Sequence, residues 1–195
     1  MKPMNDSATS AVRYKLEAAQ SKFTVQAFAA GLLAGFGHNP TISVSDFAGE
    51  AHFAPDTFAE ASLRLVINAK SLVVLDDIKE KDKQEIERTM LDDVLETSMY
   101  PEIIFQSTSI TTTRIIEGRY KAKIIGDLTM HGVTRKGLWI MSQFTLKEDE
   151  LNAKGDFTLK QTDYDIKLVK VAAGALKLKD ELKFEFDLVG NKEQG

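Results

Sequence analysis

The chain has 195 residues, of which 43% are hydrophobic, enough for one folded domain with a full apolar core. Its net charge is -4, with lysine and arginine scattered among acidic residues, which argues against the concentrated basic face of a nucleic-acid-binding protein. The absence of cysteine excludes disulfides, thiol nucleophiles and cysteine-ligated metals.

Alternating apolar and polar residues predict strands soon after the amino terminus. Residues 1–11 are small and polar, which predicts a flexible segment ahead of a single domain over residues 12–190. Residues 12–16 and 22–27 each alternate with period two, and we interpret them as two strands that form a hairpin. The glycine-rich, apolar residues 28–40 show neither helical nor strand periodicity and predict a bent, partly buried crossing or rim.

A change of phase in the next strand predicts a sharp bend. Apolar residues alternate from Thr41, and the alternation shifts by one residue near Ser45 and Asp46 before it continues to Phe53. A one-residue shift indicates a β-bulge, which barrels use to turn a strand around a corner. Residues 63–67 then predict another strand that faces the same core.

The longest polar stretch of the chain predicts its helix, over about residues 77–96. Asp76 or Asp77 is placed to cap the amino-terminal end, and Pro101 lies beyond the carboxyl-terminal end. Apolar residues recur at four-residue spacing and form one stripe, made of Ile86, Met90, Leu91, Val94 and Leu95. The stripe predicts a helix that covers one side or end of a barrel, and a partner-binding helix is the alternative.

The second half of the chain predicts more strands and one tight hairpin. A strand begins at Ile103, and two further strands meet at His131 and Gly132, because glycine supplies the permissive backbone of a tight reversal. Residues 151–160 and 182–188 complete the pattern. The last strand has an apolar inner face and a charged outer face, so it covers a core or a cavity.

Eight or so antiparallel strands predict an all-β fold with one inserted helix, in a closed or nearly closed barrel that removes exposed sheet edges. A barrel of eight strands is either filled by its own side chains or holds one small ligand. Four inward positions carry small residues, namely Ala27, Gly49, Ala51 and Ala122. They are compatible with a ligand cavity and equally with the packing of a tapered barrel, so the pattern leaves both interiors open.

The three histidines are the candidates for polar chemistry. They lack the spacing of a metal-binding helix, and no acidic cluster completes a ligand set, so we expect no metal site and no catalytic residue. His38, in the glycine-rich segment, is placed to bind a polar head group at the mouth of a cavity. The alternative is a loop histidine bonded to a nearby carbonyl. His52 lies within a strand, and the tight turn alone accounts for His131.

Two other functions remain open. A lipid hydrolase or isomerase would need His38 or His52 beside a carboxylate inside the cavity. No serine lies in a GxSxG sequence, and the paired acids at residues 76–77 and 92–93 fall where a solvated helix would place them. The other possibility is a barrel filled by its own side chains that acts as a protein-interaction or stress-response module.

Four segments, taken in order, are similar to those of a known family. They are GHNPTISVSDFAGEAHF, MLDDVLETSMYPEIIFQST, GDLTMHGVTRKG and FTLKQTDYDIKL. Together they resemble the YceI family of lipocalin-like, polyisoprenoid-binding proteins and span most of the chain. The chain has Lys136 where members commonly have proline, and Gln161 where they commonly have arginine. The resemblance implies an elongated, antiparallel, eight-stranded lipocalin-like barrel, often a dimer, that holds a long-chain amphiphile.

From the resemblance we expect non-enzymatic binding, carriage or storage of an isoprenoid quinone, polyprenol or fatty amide, with no other cofactor. Strand parity and position predict the residues that line the site. Together with His38 they are Phe36, Ile42, Phe47, Phe53, Leu65, Ile67, Met90, Leu95, Phe105, Ile124, Leu128 and Phe157. Simple core packing is the alternative for each of them.

The sequence shows no address signal and no membrane span. Residues 1–21 lack an uninterrupted apolar run of about 7 to 15 residues, the core of a signal peptide. No later stretch approaches the roughly 18 apolar residues of a transmembrane helix. If Met1 is the native start, we expect a cytoplasmic protein, and a periplasmic one, as for many relatives, is the alternative. Beyond the apolar ligand, we expect no nucleic-acid partner and a possible homodimer.

Overall fold

The computed structural model describes residues 11–30, 39–55, 57–171 and 176–193. The predicted flexible segment therefore lies outside the described residues, except for its last residue. Within these ranges the strands are β1 (Val12–Leu16), β2 (Lys22–Gln26), β3 (Ala29–Ala30), β4 (Thr41–Ser43), β5 (Phe47–Phe53), β6 (Ser62–Asn68), β7 (Val73–Val74), β8 (Glu102–Ile116), β9 (Arg119–Met130), β10 (Val133–Leu146), β11 (Glu150–Lys160), β12 (Lys170–Val171), β13 (Leu176–Leu178) and β14 (Glu181–Lys192).

Eight strands close into an antiparallel barrel, as the sequence predicts. Neighbours follow the order β1, β5, β6, β8, β9, β10, β11 and β14, and β14 also pairs with β1 to complete the circle. Closure pairs the backbone groups that an open sheet would expose along its edges. Beyond the closed ring, β2, β4 and β7 extend the sheet from β14, and β3, β12 and β13 form a small separate sheet.

β1 and β2 do not form the predicted hairpin. Both strands pair with β14, β1 through Tyr14 opposite Lys192 and β2 through Phe23 opposite Phe186. Because both are antiparallel to β14, they run in the same direction and cannot be hairpin partners. A 3-10 turn, Ala18–Gln20, separates them, so they behave as one bent strand. The prediction failed because alternation identifies a strand but does not say which strand lies beside it.

The chain bends near Ser45 and Asp46 as predicted, but through a break between two strands and not through a β-bulge within one strand. β4 ends at Ser43, and β5 begins at Phe47. The neighbouring strand is interrupted at the same level, where Asn68 donates from its backbone N to Asp46 O at 3.0 Å and from Nδ2 to Asp46 Oδ2 at 2.8 Å. Two adjacent strands therefore bend together, and β4 and β7 continue beyond the bend as a pair.

The helical segment lies beside β7. It consists of α1, Glu80–Arg88, and a wider π-helical turn, Thr89–Val94, so it is 15 residues long and shorter than predicted. Val74 N donates to Glu87 Oε1 at 2.8 Å, which ties β7 to the helix. The carboxyl-terminal half of the apolar stripe packs against the barrel core through Met90, Leu91, Val94 and Leu95. The helix therefore covers the barrel wall, as the stripe predicts.

Neither Asp76 nor Asp77 caps the helix, so the predicted cap is wrong. The residue before the first helical turn is Lys79, which makes no side-chain capping hydrogen bond. Asp76 Oδ2 instead accepts from Thr41 N at 2.7 Å, at the start of β4. The sequence shows that an aspartate precedes a helix, but not that a distant strand competes for its carboxylate.

The tight hairpin at His131 and Gly132 is present. β9 ends at Met130, β10 begins at Val133, and the two turn residues have positive φ angles of 52° and 73°. Two-residue hairpin turns require this left-handed backbone, which glycine adopts without steric cost. The alternation on both sides of the turn thus predicted both strands and their connection.

Candidate functional site

The barrel contains an apolar cavity of about 530 Å³ that is partly open to the outside. Side chains from every strand of the closed ring and from the helical segment line it. Its volume lies within the range of roughly 300 to 1,000 Å³ that is usual for small-molecule sites. Of the two interiors that an eight-stranded barrel can have, this protein has the hollow one.

Most of the residues predicted to bind the ligand lie in the cavity wall. They are Ile42, Phe53, Leu65, Ile67, Met90, Leu95, Phe105, Ile124, Leu128 and Phe157. Phe47 is buried but is not part of this wall, and its ring packs edge-on against Phe23 with centroids 6.5 Å apart. Phe36 and His38 lie outside the described residues. Strand parity places a side chain on the inner face, but it does not distinguish cavity contact from packing against a neighbour.

Small residues on the inner face have two different roles. Three alanines are buried and line the cavity, namely Ala27, Ala51 and Ala122. Gly49 instead makes room for its neighbours, because a Cβ at this position would lie 2.7 Å from Leu16 Cδ1 and 2.9 Å from Leu65 Cδ1. The two interpretations that the sequence left open therefore both apply, at different positions.

An aromatic cluster packs over one end of the cavity. Phe58 lies in the connection between β5 and β6 and has a positive φ of 53°. Its ring centroid is 4.7 Å from that of Tyr120, 5.3 Å from that of Phe53 and 5.6 Å from that of Phe144. Phe58 is not predictable from alternation, because it lies in a connection, where no period-two pattern indicates that a side chain turns inward.

Charged side chains line the other end of the cavity. Asp82 and Glu85 come from α1, and Lys177 comes from β13. Pro40, which precedes β4, lies at this end of the cavity. β4 and β5 run from there along the barrel to Phe53, which lies at the opposite end. Neither carboxylate forms an ion pair with a described residue. We call Asp82, Glu85 and Lys177 the charged rim.

A buried amide contributes to the cavity wall. Gln161 is 5% exposed, and its Nε2 donates to Lys179 O at 2.9 Å. A carbonyl oxygen only accepts, so the amide nitrogen must face Lys179 O and the acceptor Oε1 points away from it. The sequence indicated Gln161 only as a departure from a family pattern, because its burial depends on the distant residue Lys179.

Asp180 stabilises the short turn that contains Gln161. Asp180 Oδ1 accepts from Thr162 N at 2.9 Å, and Oδ2 accepts from Thr162 Oγ1 at 2.7 Å. Desolvation opposes ionisation of this carboxyl, but the hydrogen bonds outweigh it and hold the pKa of Asp180 below its usual value. A carboxyl whose pKa falls on folding stabilises the fold above the pKa of the unfolded state.

We therefore expect the stabilisation by Asp180 to be lost as the pH falls through the lowered pKa of its folded carboxyl. The Asp180→Asn substitution should lower Tm at pH 7 by about 2 to 4 °C, because it weakens these exposed hydrogen bonds. The difference from the parent should shrink on acidification below the unfolded pKa of about 3.9. Thermal unfolding followed by circular dichroism at several pH values measures it, and a pH-independent difference would contradict the assignment.

The two described histidines do not place an acid–base pair inside the cavity. The His52 side chain is 40% exposed and lies on the outer side of β5, with Nε2 3.7 Å from Glu50 Oε2. His131 lies at the hairpin turn and bonds to Glu96 instead of to a lumenal group. Across the described ranges, histidine, aspartate and glutamate do not gather into a cluster of three or more that could hold a metal ion.

His131 joins three parts of the fold, so the turn alone does not account for it as predicted. Its Nε2 lies 2.7 Å from Glu96 Oε2, just beyond the helical segment, and its Nδ1 lies 3.1 Å from Tyr164 O. The ring is therefore held through both of its nitrogens, one at a carboxylate and one at a backbone carbonyl. Tyr100 packs its ring edge against His131 with centroids 4.8 Å apart. The carboxyl end of the helical segment is thereby tied to the central hairpin.

These features define a closed antiparallel barrel with an internal apolar cavity and one covering helix. The family model described as a YceI-like domain matches residues 14–190. The chain belongs to this family, as its four sequence segments indicate. No curated protein sequence matches the chain. Among the described residues, no helix combines the length and the apolar character needed to cross a membrane.

Several solved structures have a similar fold. BcnA of Burkholderia cenocepacia is 17% identical with a TM-score of 0.67, and the match covers 89% of this chain and 98% of that one. A polyisoprenoid binding domain from Saccharophagus degradans, implicated in plant cell wall breakdown, is 15% identical with a TM-score of 0.64. The match covers 92% of this chain and 98% of that one. The YCEI protein of Campylobacter jejuni is 16% identical with a TM-score of 0.60 over 81% and 88%. At these identities the likeness shows the fold alone.

Proposed function

We propose that this protein binds a long-chain apolar amphiphile inside its barrel and does not transform it. The apolar cavity of about 530 Å³ is the observation that carries the proposal. Each buried methylene contributes about 0.8 kcal/mol, so roughly ten supply the gross binding energy of a micromolar complex before ordering costs. The family, and the solved relative described as a polyisoprenoid binding domain, support an isoprenoid chain.

The charged rim favours a ligand whose head group is uncharged. A phosphate or carboxylate at this end would meet Asp82 and Glu85, with Lys177 as the single cation among the described residues that line it. Asp82, Glu85 and Lys177 are exposed, so solvent screens these charges, and the two carboxylates disfavour an anionic head group only weakly. A hydroxyl or amide can instead donate to Gln161 Oε1. These contacts support a polyprenol or fatty amide first, then an isoprenoid quinone, and they disfavour a prenyl phosphate.

Binding without chemistry is consistent with the cavity wall. The ionisable groups that the described part of the chain contributes to it are confined to the rim, and the buried hydroxyl of Ser142 donates to Lys154 O at 3.0 Å. A hydroxyl engaged with a backbone carbonyl and lacking a histidine partner is not an activated nucleophile. Carriage or storage of the ligand then follows as the role of the barrel. A head-group contact from His38 remains a prediction.

The direct test is native mass spectrometry of protein purified from its own cells, followed by organic extraction of what co-purifies. We expect a stoichiometric lipid with one long apolar chain and an uncharged head group. A clean apo mass, together with no binding of a long-chain probe by the purified protein, would overturn the proposal. The barrel would then be better explained as a protein-interaction module.

A cavity-blocking variant tests the location of the site. Ala122 is 4% exposed in the cavity wall, and Ala122→Leu places a larger side chain where the ligand chain would lie. We expect its affinity for a fluorescent polyprenol to fall at least about tenfold. Thr158→Leu, exposed on the outer face of β11, is the control and should bind normally. Unchanged affinity in folded Ala122→Leu would place the ligand outside the cavity.

A further inference from the structure

Four of the seven large apolar side chains that are exposed in the described residues lie on one side of the barrel wall, whereas Val73, Leu75 and Met99 are exposed elsewhere. Ile115 and Ile116 lie near the end of β8 and are 43% and 57% exposed, and Trp139 and Met141 on β10 are 61% and 44% exposed. Trp139 is the only tryptophan of the chain. Apolar surface that accumulates in one region marks an interaction site, whereas single exposed residues need no explanation.

β9 lies between these two strands and adds a row of cations to the same face. Arg119, Lys121 and Lys123 are exposed, and their alternation with inward-facing Ala122 and Ile124 directs them to the outside of the barrel. None of the three forms an ion pair with a described residue. We call this row, with the four apolar side chains beside it, the docking face.

The strand register interleaves the cations with the apolar side chains. Lys123 lies directly opposite Met141 of β10, and Arg119 lies opposite Ile116 of β8. Trp139 lies two residues before Met141 and on the same side of β10. At about 3.3 Å per residue, the face extends roughly 20 Å from Arg119 to the level of Trp139. Such a surface offers ionic and apolar contacts side by side along the barrel wall.

The docking face is a local exception to the charge of the protein. The chain carries a net charge of -4, so the composition predicted no concentrated basic surface. Asp127 and Asp156 lie at the margin of the face, and the Asp127 carboxylate accepts from Gly137 N at 3.2 Å. Arg114 and Glu117, near the tip of the β8–β9 hairpin, carry opposite charges. The strand that carries the three cations, β9, lies between β8 and β10 and is therefore the central strand of the face.

We propose that the docking face binds the surface of an anionic lipid bilayer. Lipid phosphates and carboxylates would meet the three cations, while Trp139 would lie at the level of the head groups, where aromatic side chains are favoured. A second copy is disfavoured, because a twofold interface would set the row of cations against itself. The inference does not depend on an occupied cavity, so it fails or succeeds separately from the proposed function.

The test uses the full chain and vesicles of phosphatidylcholine with or without phosphatidylserine. Because Trp139 is the only tryptophan, its emission reports directly on this face. We expect a blue shift and quenching by brominated acyl chains with the anionic vesicles alone, both reversed by salt. Replacing all three cations, by Arg119→Gln, Lys121→Gln and Lys123→Gln, should weaken vesicle binding about a hundredfold.

A triple variant elsewhere controls for net charge. Lys15, Lys70 and Lys167 are exposed and lie away from the docking face, so their replacement by glutamine should leave most of the vesicle binding intact. Equal losses in the two triple variants, equal binding to neutral vesicles, or unshifted Trp139 emission in vesicle-bound protein would each overturn the proposal. A concentration-dependent blue shift without vesicles would assign the face to a second copy and overturn it as well.

Discussion

Replacement of Gly126 by alanine is expected to lower the free energy of unfolding by about 3 kcal/mol. A Cβ at this position would lie 2.4 Å from Phe105 Cζ and 2.6 Å from Gln106 O. The Phe105 ring belongs to the core, and Gln106 O belongs to the backbone of the neighbouring strand β8, so both must shift. For a domain of this size the loss corresponds to a fall in Tm of about 6 to 12 °C.

Two companion variants make the Gly126 prediction specific. Gly190→Ala is the control, because its Cβ would lie 3.2 Å from Leu16 Cδ2 and 3.5 Å from Leu151 Cδ2, contacts that flexible side chains can relieve. We expect it to change stability by less than about 1 kcal/mol. In a Phe105→Leu background, Gly126→Ala should cost less than in the parent. Equal costs in both backgrounds, measured by urea unfolding, would show that the Phe105 ring is not the obstacle.

The second large effect is expected at His131. His131→Ala removes the hydrogen bonds to Glu96 and to Tyr164 O and leaves that part-buried carbonyl without its donor. Alanine adds no backbone cost of its own, because histidine already has this left-handed φ of 52°. Together these losses should lower the free energy of unfolding by about 3 to 4 kcal/mol, measured by urea unfolding.

His131→Gly separates the side-chain effect from the backbone effect. Glycine relaxes the turn but restores neither hydrogen bond, so it should recover about 1 kcal/mol of the loss and no more. Glu96→Gln keeps a hydrogen-bonding partner without the charge and should cost about 1 to 2 kcal/mol. If His131→Gly were as stable as the parent, the connection between the helical segment and the hairpin would contribute nothing to stability.

The His131 connection also bears on the proposed ligand. Glu96 follows the helical segment whose Met90 and Leu95 line the cavity, so loosening this end should let the helix move away from the wall more often. We therefore expect a bound polyprenol probe to dissociate faster from His131→Gly than from the parent. The rate should rise by roughly the same factor as the equilibrium constant for local opening of the helix. A faster dissociation without a change in the number of sites distinguishes gating from loss of the fold.

The sequence predicted those features that depend on local periodicity. The alternation around His131 and Gly132 gave the central hairpin, and the four-residue spacing of the helix gave the side that faces the barrel. The one-residue shift near Ser45 gave the bend between β4 and β5. Parity also placed residues such as Ile124 and Leu128 on the inner face, which is why most of the predicted site lies in the cavity wall.

The failures all concern groups whose partners are distant in the chain. Asp76 caps no helix because Thr41 N takes its carboxylate, and β1 and β2 are not a hairpin because β14 pairs with both. Phe47 is buried in the core as parity predicts, but it packs against the ring of Phe23 and is not part of the cavity wall. The surface charge was also not predicted. The net charge is an average over the chain, so it does not reveal the row of cations on the outer face of β9.

By itself the sequence determined that this protein is a β-barrel with one amphipathic covering helix, because period and turn chemistry are properties of neighbouring residues. Only the tertiary structure decided that the barrel is hollow and that its rim is charged. Those features depend on how side chains from different strands pack against each other. The space beside Gly49 is filled by Leu16 and Leu65, whereas the space beside Ala122 belongs to the cavity. The volume of the cavity and the charges around it depend on side chains from all the strands together. No single stretch of sequence contains that information.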